Sequence, residues 1–598
     1  MAEATMDWDL STYFPEFRGK EMNEFKSELE REIKTTYDKS LKLKDADGNT
    51  DPWEVVLSDV EDLSKKYSHI RSYIGCLASA DANNQDYLKE EADLSLLGAE
   101  FQKIEVVVLS TLENMSPEMV NKIIALESME GASYYISRLY EESKKRMTND
   151  KEILATELGV DGLSSWGRLY NTVSGKLTFE MKYPDGTIKE IPMSQRRSLL
   201  ENPDREIRKE AFHGGNRAWE QIEDVAAASL NAISGTRLTL NKHRGIDHFL
   251  DVAMFQSAVS RDTLDAMFGA IYDQIEIPKN ILKYKAESMG TEKLSWYDLG
   301  APLEMESSEV IDWERAKSMV YDSFNGSYPL LGNFVKGVYD KNWIDWSPRS
   351  GKRPGGFCTG SLLTNESRIY MTYNDSLGDV LTLAHEAGHA FHSYIMKDIR
   401  PYGHSYPMTL AETASTFGEM ILAQGILNSD GISEGEKALI LDTEVNHGAI
   451  YLMDIPVRYE FERALYEERD NGVLNPTRLK ELMVQTQEKV FGDTLDEKDP
   501  YFWASKLHFY ITGVTFYNFP YTFGYLLSRF IFGKFLQEGS DFLEKYEYFL
   551  KISGSYDCEE VVSKSLGEDI TSKEFWVDSI KTLEEPLNRL KEIHFKQT

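Results

Sequence analysis

The chain has 598 residues, 41% of them hydrophobic and 12% aromatic, enough apolar material for a large buried core and too much for extensive disorder. Its 66 basic and 99 acidic residues leave a net charge of −33, which argues against nucleic acid and anionic membranes as partners, because their phosphates would be repelled. Three cysteines, Cys76, Cys358 and Cys558, are too far apart for a disulfide framework or a metal cluster; with no signal-like or bilayer-length apolar run, they predict a cytoplasmic protein.

Helical patterning dominates from Glu21 to about Arg146, broken at 45–49 and restarted at Ser116-Pro117, a capping residue followed by a first-turn proline. Residues 1–113 are therefore expected to form a helical N-terminal region. Leu177 to Tyr183 and Ile188 to Ile191 flank Pro184-Asp185-Gly186 as the arms of a hairpin, so 114–195 reads as a small helical and hairpin domain. Pro203-Asp204 opens a helical tract toward Lys242, and further helices are expected over 260–290, 309–323, 434–470 and 523–553. These place a third domain at 200–590 and make the fold class mainly α, with a small sheet component.

Chemistry enters in the middle of the chain. Gly355-Gly356-Phe357 would let backbone amides approach a ligand closely, as an edge for an extended peptide or as a plain turn. Arg368 to Tyr373 has strand composition, and Asn374-Asp375-Ser376 follows as a turn, with Ser376 and Asp379 at capping-box spacing. The helix this predicts carries His385-Glu386-Ala387-Gly388-His389. Histidines four residues apart leave the same helix face and can share one tetrahedral zinc, while Glu386 beside them can take a proton from an attacking water.

A catalytic zinc needs a third protein ligand. His392 is two turns from His385, too far to share the ion, and is read as packing or as support from behind the ligands. The metzincin pattern would need glycine at 392 and histidine at 395; the chain has His392 and Ile395. That leaves a glutamate from the next helix. Residues 410–419 put Glu412, Ser415, Thr416 and Glu419 on one stripe, after a connection rich in proline and glycine. Glu412 is the expected ligand, and Glu419, two turns on, either orients a histidine from behind or is a solvated or differently paired carboxylate. Further on, His508, Tyr510, Tyr517, Tyr521 and Tyr525 fall within 18 residues, either as an aromatic core face or as donors to a developing oxyanion.

The strings HEAGHAFH (385–392) and ETASTFGE (412–419) resemble those of the oligoendopeptidase F branch of the thimet oligopeptidase family. So do Arg353 to Cys358 upstream, and His508-Phe509-Tyr510 with Phe516 to Tyr521 downstream. The resemblance implies a two-lobed helical body around a deep channel, one zinc per chain held by His385, His389 and Glu412, and Glu386 as general base. It also implies short unstructured peptides as substrates. His508, Tyr517 and Tyr521 would assist catalysis, and Gly355, Gly356, Phe357, Tyr510 and Tyr525 would line the substrate site. Two other readings are a peptide-binding protein without turnover on the same scaffold, and a helical scaffold in which the pentapeptide is coincidental. An intact Glu386 argues against the first, since a binder needs no base beside a metal.

Overall fold

The computed structural model describes residues 6–46, 48–302, 310–429 and 432–597. Several of its helices begin where capping side chains satisfy the first backbone donors. Ser116 accepts from the Met119 amide ahead of Pro117–Ile124, Asp204 from Glu206 ahead of Arg205–Gln221, and Ser376 and Asp379 close a reciprocal capping box ahead of Leu377–Ile395. Sheet is confined, among the described residues, to a two-stranded hairpin and a three-stranded sheet, so the mainly helical class expected from the sequence is what is observed.

Several long helical tracts are divided, and backbone chemistry accounts for it. The 260–290 tract becomes Arg261–Asp273 and Glu276–Ser288, the second carrying Pro278 in its first turn, where the missing amide is harmless. The 434–470 tract becomes Glu434–Ala449 and Ile455–Arg469, joined by a π-helical turn Ile450–Asp454 just before Pro456. The last splits into Phe519–Glu538 and Leu543–Ile552 at Gly539, whose φ of +67° ends the first helix. The start of the helix expected at 309 lies outside the described residues; the helix there is Trp313–Ser327, capped by Asp312.

The chain forms two compact units, each assembled from separated segments. One comprises Met1–Arg146, Ser308–Asp430 and Ile531–Asp569. Its helices Lys20–Ser40, Asp51–Ala80 and Gln85–Leu112 enclose a core that includes Leu29, Trp53, Ile70, Tyr73 and Ile104. In its sheet, Glu366–Tyr370 is central, parallel to Ile344–Asp345 and antiparallel to Phe357–Ser361, with Phe357 opposite Tyr370. The strand expected at 368–373 thus starts and ends earlier. Met371 and Tyr373 still donate to Asp345 and Trp346, so the chain runs on extended toward the Ser376 cap.

The other unit comprises Met147–Ser307, Gly431–Phe530 and Ile570–Thr598. Its hairpin pairs Thr178–Lys182 with Ile188–Pro192, and Phe179, Met181 and Ile191 pack on Ala211 and Ala218 of helix Arg205–Gln221. A larger core gathers Leu230, Ile233, Phe461, Leu479 and Trp503 from helices Glu223–His243, Ile455–Arg469, Pro476–Phe491 and Phe502–Ser505. Among the described residues, no helix is long and apolar enough to cross a membrane.

Candidate metal centre

The centre is built where Leu377–Ile395 meets Thr413–Leu427 in the first unit. Two glycines set how close these helices come. A Cβ on Gly388 would lie 2.4 Å from the Ala414 carbonyl oxygen and 2.6 Å from Ser415 Cα, and one on Gly418 would lie 2.9 Å from the Ala384 carbonyl oxygen. Only hydrogen fits between the backbones there. Leu383, Ala384, Ala387 and Phe391 bury the rest of the first helix, so its histidines are held rather than mobile. Glu412 belongs to neither helix interior: it sits at the junction between Met408–Ala411 and Thr413–Leu427.

This junction brings the Glu412 carboxylate to both imidazoles. Its Oε2 lies 3.4 Å from Nε2 of His385 and 3.4 Å from Nε2 of His389, and one ligand atom from each of the three residues falls within 4.8 Å of the others. A tetrahedral zinc with bonds of about 2.0–2.1 Å has ligand-to-ligand edges of about 3.3–3.4 Å. The two carboxylate-to-imidazole spacings are long for a hydrogen bond and match that edge, so the three residues could hold a single metal ion. Behind them, the other nitrogen of His385 hydrogen-bonds Glu419 Oε1 at 2.5 Å, and Ser415 Oγ donates to Glu412 Oε2 at 2.9 Å. Each of these ligands is thus oriented by a partner of its own.

The electrostatics favour a cation. Burial disfavours charge on His385, yet the bond to Glu419 and the charges of Glu419, Glu412 and Glu386 outweigh it and raise the imidazole to about 9. Burial likewise disfavours charge on Glu412, but His389, His385 and the Ser415 hydrogen bond bring it down to about 2. Glu386 goes the other way. Burial, at 6% exposure, pushes its pKa up, with the histidines pulling against that and the two other glutamates adding to it. Its Oε2 is buried without a protein hydrogen-bond partner, and its Oε1 would lie 3.4 Å from a Cβ on Gly356. That glycine keeps the carboxylate uncovered from the strand side. Gly355 has φ +103°, and the strand that follows it lies at the edge of its sheet. Phe357, Cys358 and Thr359 line a cavity of about 840 Å³ together with Arg71, Ser72 and Arg353.

The second unit holds the aromatic group. His508 is in the 3₁₀ turn Leu507–Tyr510, with its ring 5.1 Å from that of Tyr517 and 6.3 Å from that of Tyr521, and the two tyrosine rings lie 5.6 Å apart. These three form one cluster. Tyr510 and Tyr525 do not join it, which corrects the expectation that they line a substrate site. Tyr510 is 2% exposed, stacked on Tyr170 at 3.5 Å and bonded to the Trp503 carbonyl. Tyr525 is buried and stacked on Tyr451. Both are core aromatics, for their rings are worth more in apolar contact than at a surface.

His392 also needs correction as a support for the ligands. Its Nε2 reaches the Leu550 carbonyl at 3.1 Å and Ser553 Oγ at 2.9 Å, its ring stacks on Tyr406, and burial drops its pKa to about 3. It pins the helix to the 550–553 turn as a neutral imidazole. Sequence reasoning missed the parts that touch no metal: Ser415 as a partner of Glu412, Asn518 as the partner of His508, and the role of Gly388 and Gly418 in helix approach. The glycine inside the pentapeptide was the one visible signal.

Comparison with known proteins agrees with this architecture. The model of Peptidase family M3 matches residues 198–582, and a second model, Oligopeptidase F, matches residues 112–179. Oligopeptidase PepF of Bacillus subtilis (strain 168) is 26% identical over 79% of this chain and 71% of its own length. An oligoendopeptidase F homolog of Lactococcus lactis subsp. lactis (strain IL1403) is 24% identical over 98% and 97%. Among solved structures, one from Chlamydophila abortus superposes with a TM-score of 0.86 at 19% identity over 98% of both chains. Oligoendopeptidase-F from Enterococcus faecium gives 0.70 at 20% identity over 96% and 100%. With the M3 model covering well over half of its length, this chain belongs to peptidase family M3 and is a metalloendopeptidase by that membership.

Proposed function

We propose that the protein is a zinc-dependent, cytoplasmic endopeptidase that hydrolyses short, unstructured oligopeptides, with region 200–590 as its catalytic domain. The observation that carries this reading is the 3.4 Å spacing of Glu412 Oε2 from both histidines beside a buried, unpartnered Glu386 oxygen. His385, His389 and Glu412 would hold the ion, and Glu419 would orient His385. Once bound, zinc would polarise the scissile carbonyl and make a neighbouring water more acidic. Glu386 receives the proton of the attacking water at Oε2 and later delivers it to the departing nitrogen, so no covalent enzyme intermediate forms. Its raised pKa suits both halves of that exchange, because the protonated form is not costly in a buried site.

The edge strand that begins at Phe357 would bind substrate by main-chain pairing, with Gly355 and Gly356 leaving room for the peptide backbone. Such pairing is tolerant of sequence. A phenol from Tyr517 or Tyr521, with His508, would meet the substrate and the developing oxyanion. The test is a pair of variants. Glu386→Gln should bind one metal per chain and lose cleavage of a quenched peptide by at least ~1000-fold; His389→Ala should lose metal and activity together. A cleaving Glu386→Gln protein would remove the assigned base. A wild-type protein that binds peptides but leaves them intact with zinc present would favour the non-catalytic peptide-binding alternative.

A further inference from the structure

Asn518 stands between His508 and the cation Arg458. Its Oδ1 lies 2.6 Å from His508 Nδ1 and accepts from an Arg458 guanidinium nitrogen at 3.1 Å, and Arg458 is in turn paired with Asp454. A guanidinium can only donate, so the amide atom facing it must be oxygen. An oxygen that cannot donate obliges Nδ1 of His508 to carry the proton. The amide nitrogen is left buried without a protein partner, and Asn518 nonetheless keeps this orientation, since the reverse would set an N–H group against a charged donor.

We propose that Asn518, fixed by Arg458 and Asp454, is a positioning residue that locks His508 in the neutral Nδ1–H tautomer. In that tautomer Nε2 presents a lone pair, so His508 accepts a hydrogen bond from a main-chain N–H of the bound peptide. With that nitrogen unprotonated, the ring can accept there but cannot donate. This rests on the peptidase reading above and assigns His508 within it as an acceptor. The surroundings on balance favour a neutral ring: burial lowers the His508 pKa, the Asn518 hydrogen bond raises it, and of the charged groups that face it Arg458 and Lys506 lower it while Asp454 opposes them, the net shift being downward. The other neighbours, Tyr517 and Tyr521, are aromatic.

Two measurements on the full chain test this. The first is imidazole 15N NMR of protein labelled at histidine, with His508 assigned by loss of its signals in His508→Gln. Near neutral pH, Nδ1 should resonate as a protonated and Nε2 as an unprotonated nitrogen; a protonated Nε2 would overturn the assignment. This readout needs no turnover, so it judges the tautomer even if the peptidase reading fails. The second is the pH profile of Asn518→Asp, which keeps the acceptor oxygen and adds an anion. Because the neutral ring is the working form, activity is complete above the His508 pKa and is lost as pH falls through it. An anion raises that pKa, so the acid limb of kcat/KM should move up by about one pH unit. An unmoved limb, or greater activity on the acid side, would overturn the proposal. Asn518→Leu, which frees the tautomer, should lower kcat/KM by about tenfold, the loss of one substrate hydrogen bond, and show both tautomers in the spectrum. A single unchanged tautomer in that variant would equally count against Asn518 as the lock.

Discussion

At the residue scale, the candidate centre shows how much the geometry of a side chain depends on what stands behind it. His385 is one of two histidines on the same helix face, and it differs from His389 in its hydrogen bond to Glu419. That bond fixes which nitrogen faces Glu412 and makes the imidazole more basic. Glu419→Ala should weaken metal binding by roughly 10–100-fold, read by competition with a chromophoric chelator, while Glu419→Gln, which retains an acceptor oxygen, should lose less. His392 teaches the reverse lesson. It sits in the same row of the helix, yet its nitrogen is spent on the Leu550 carbonyl and Ser553. Spacing alone put it near the ligands. The backbone it anchors could not be known without the fold.

At the scale of elements, the contact between Leu377–Ile395 and Thr413–Leu427 decides the ligand geometry. The glycine of the pentapeptide is needed for packing rather than for chemistry: any side chain at 388 would run into the Ala414 carbonyl and the Ser415 Cα. Gly388→Ala should therefore push the helices apart, cost about 1–3 kcal/mol in denaturant unfolding and reduce bound metal per chain. A variant as stable and as metal-replete as the wild type would show that the helices have room to spare. The capping box at Ser376 and Asp379, read from the sequence, starts the helix in the register that turns both histidines toward Glu412. Glu412 was legible as a ligand candidate but not as a junction residue. Its placement between two helices depends on how the 397–408 connection returns, and that is a matter of packing.

At the scale of the whole molecule, three candidate ligands drawn from two segments should tie metal binding to stability. Binding to the folded state alone stabilises by about 2.7 kcal/mol when free metal is a hundredfold above its Kd. Chelator should therefore lower the thermal midpoint of the wild type and leave that of His389→Ala unchanged. The sequence by itself determined the helical class, the hairpin at 178–192, and the motif and glutamate that the fold groups together as His385, His389 and Glu412, because each rests on local spacing: periodicity, turn residues, caps and a four-residue repeat on one helix face. Only tertiary structure decided which aromatics are core and which form a cluster, since Tyr510, Tyr517, Tyr521 and Tyr525 look alike along the chain and differ only in what packs against them. It likewise decided that Asn518 addresses His508, a pairing set by a loop's path that no periodicity records.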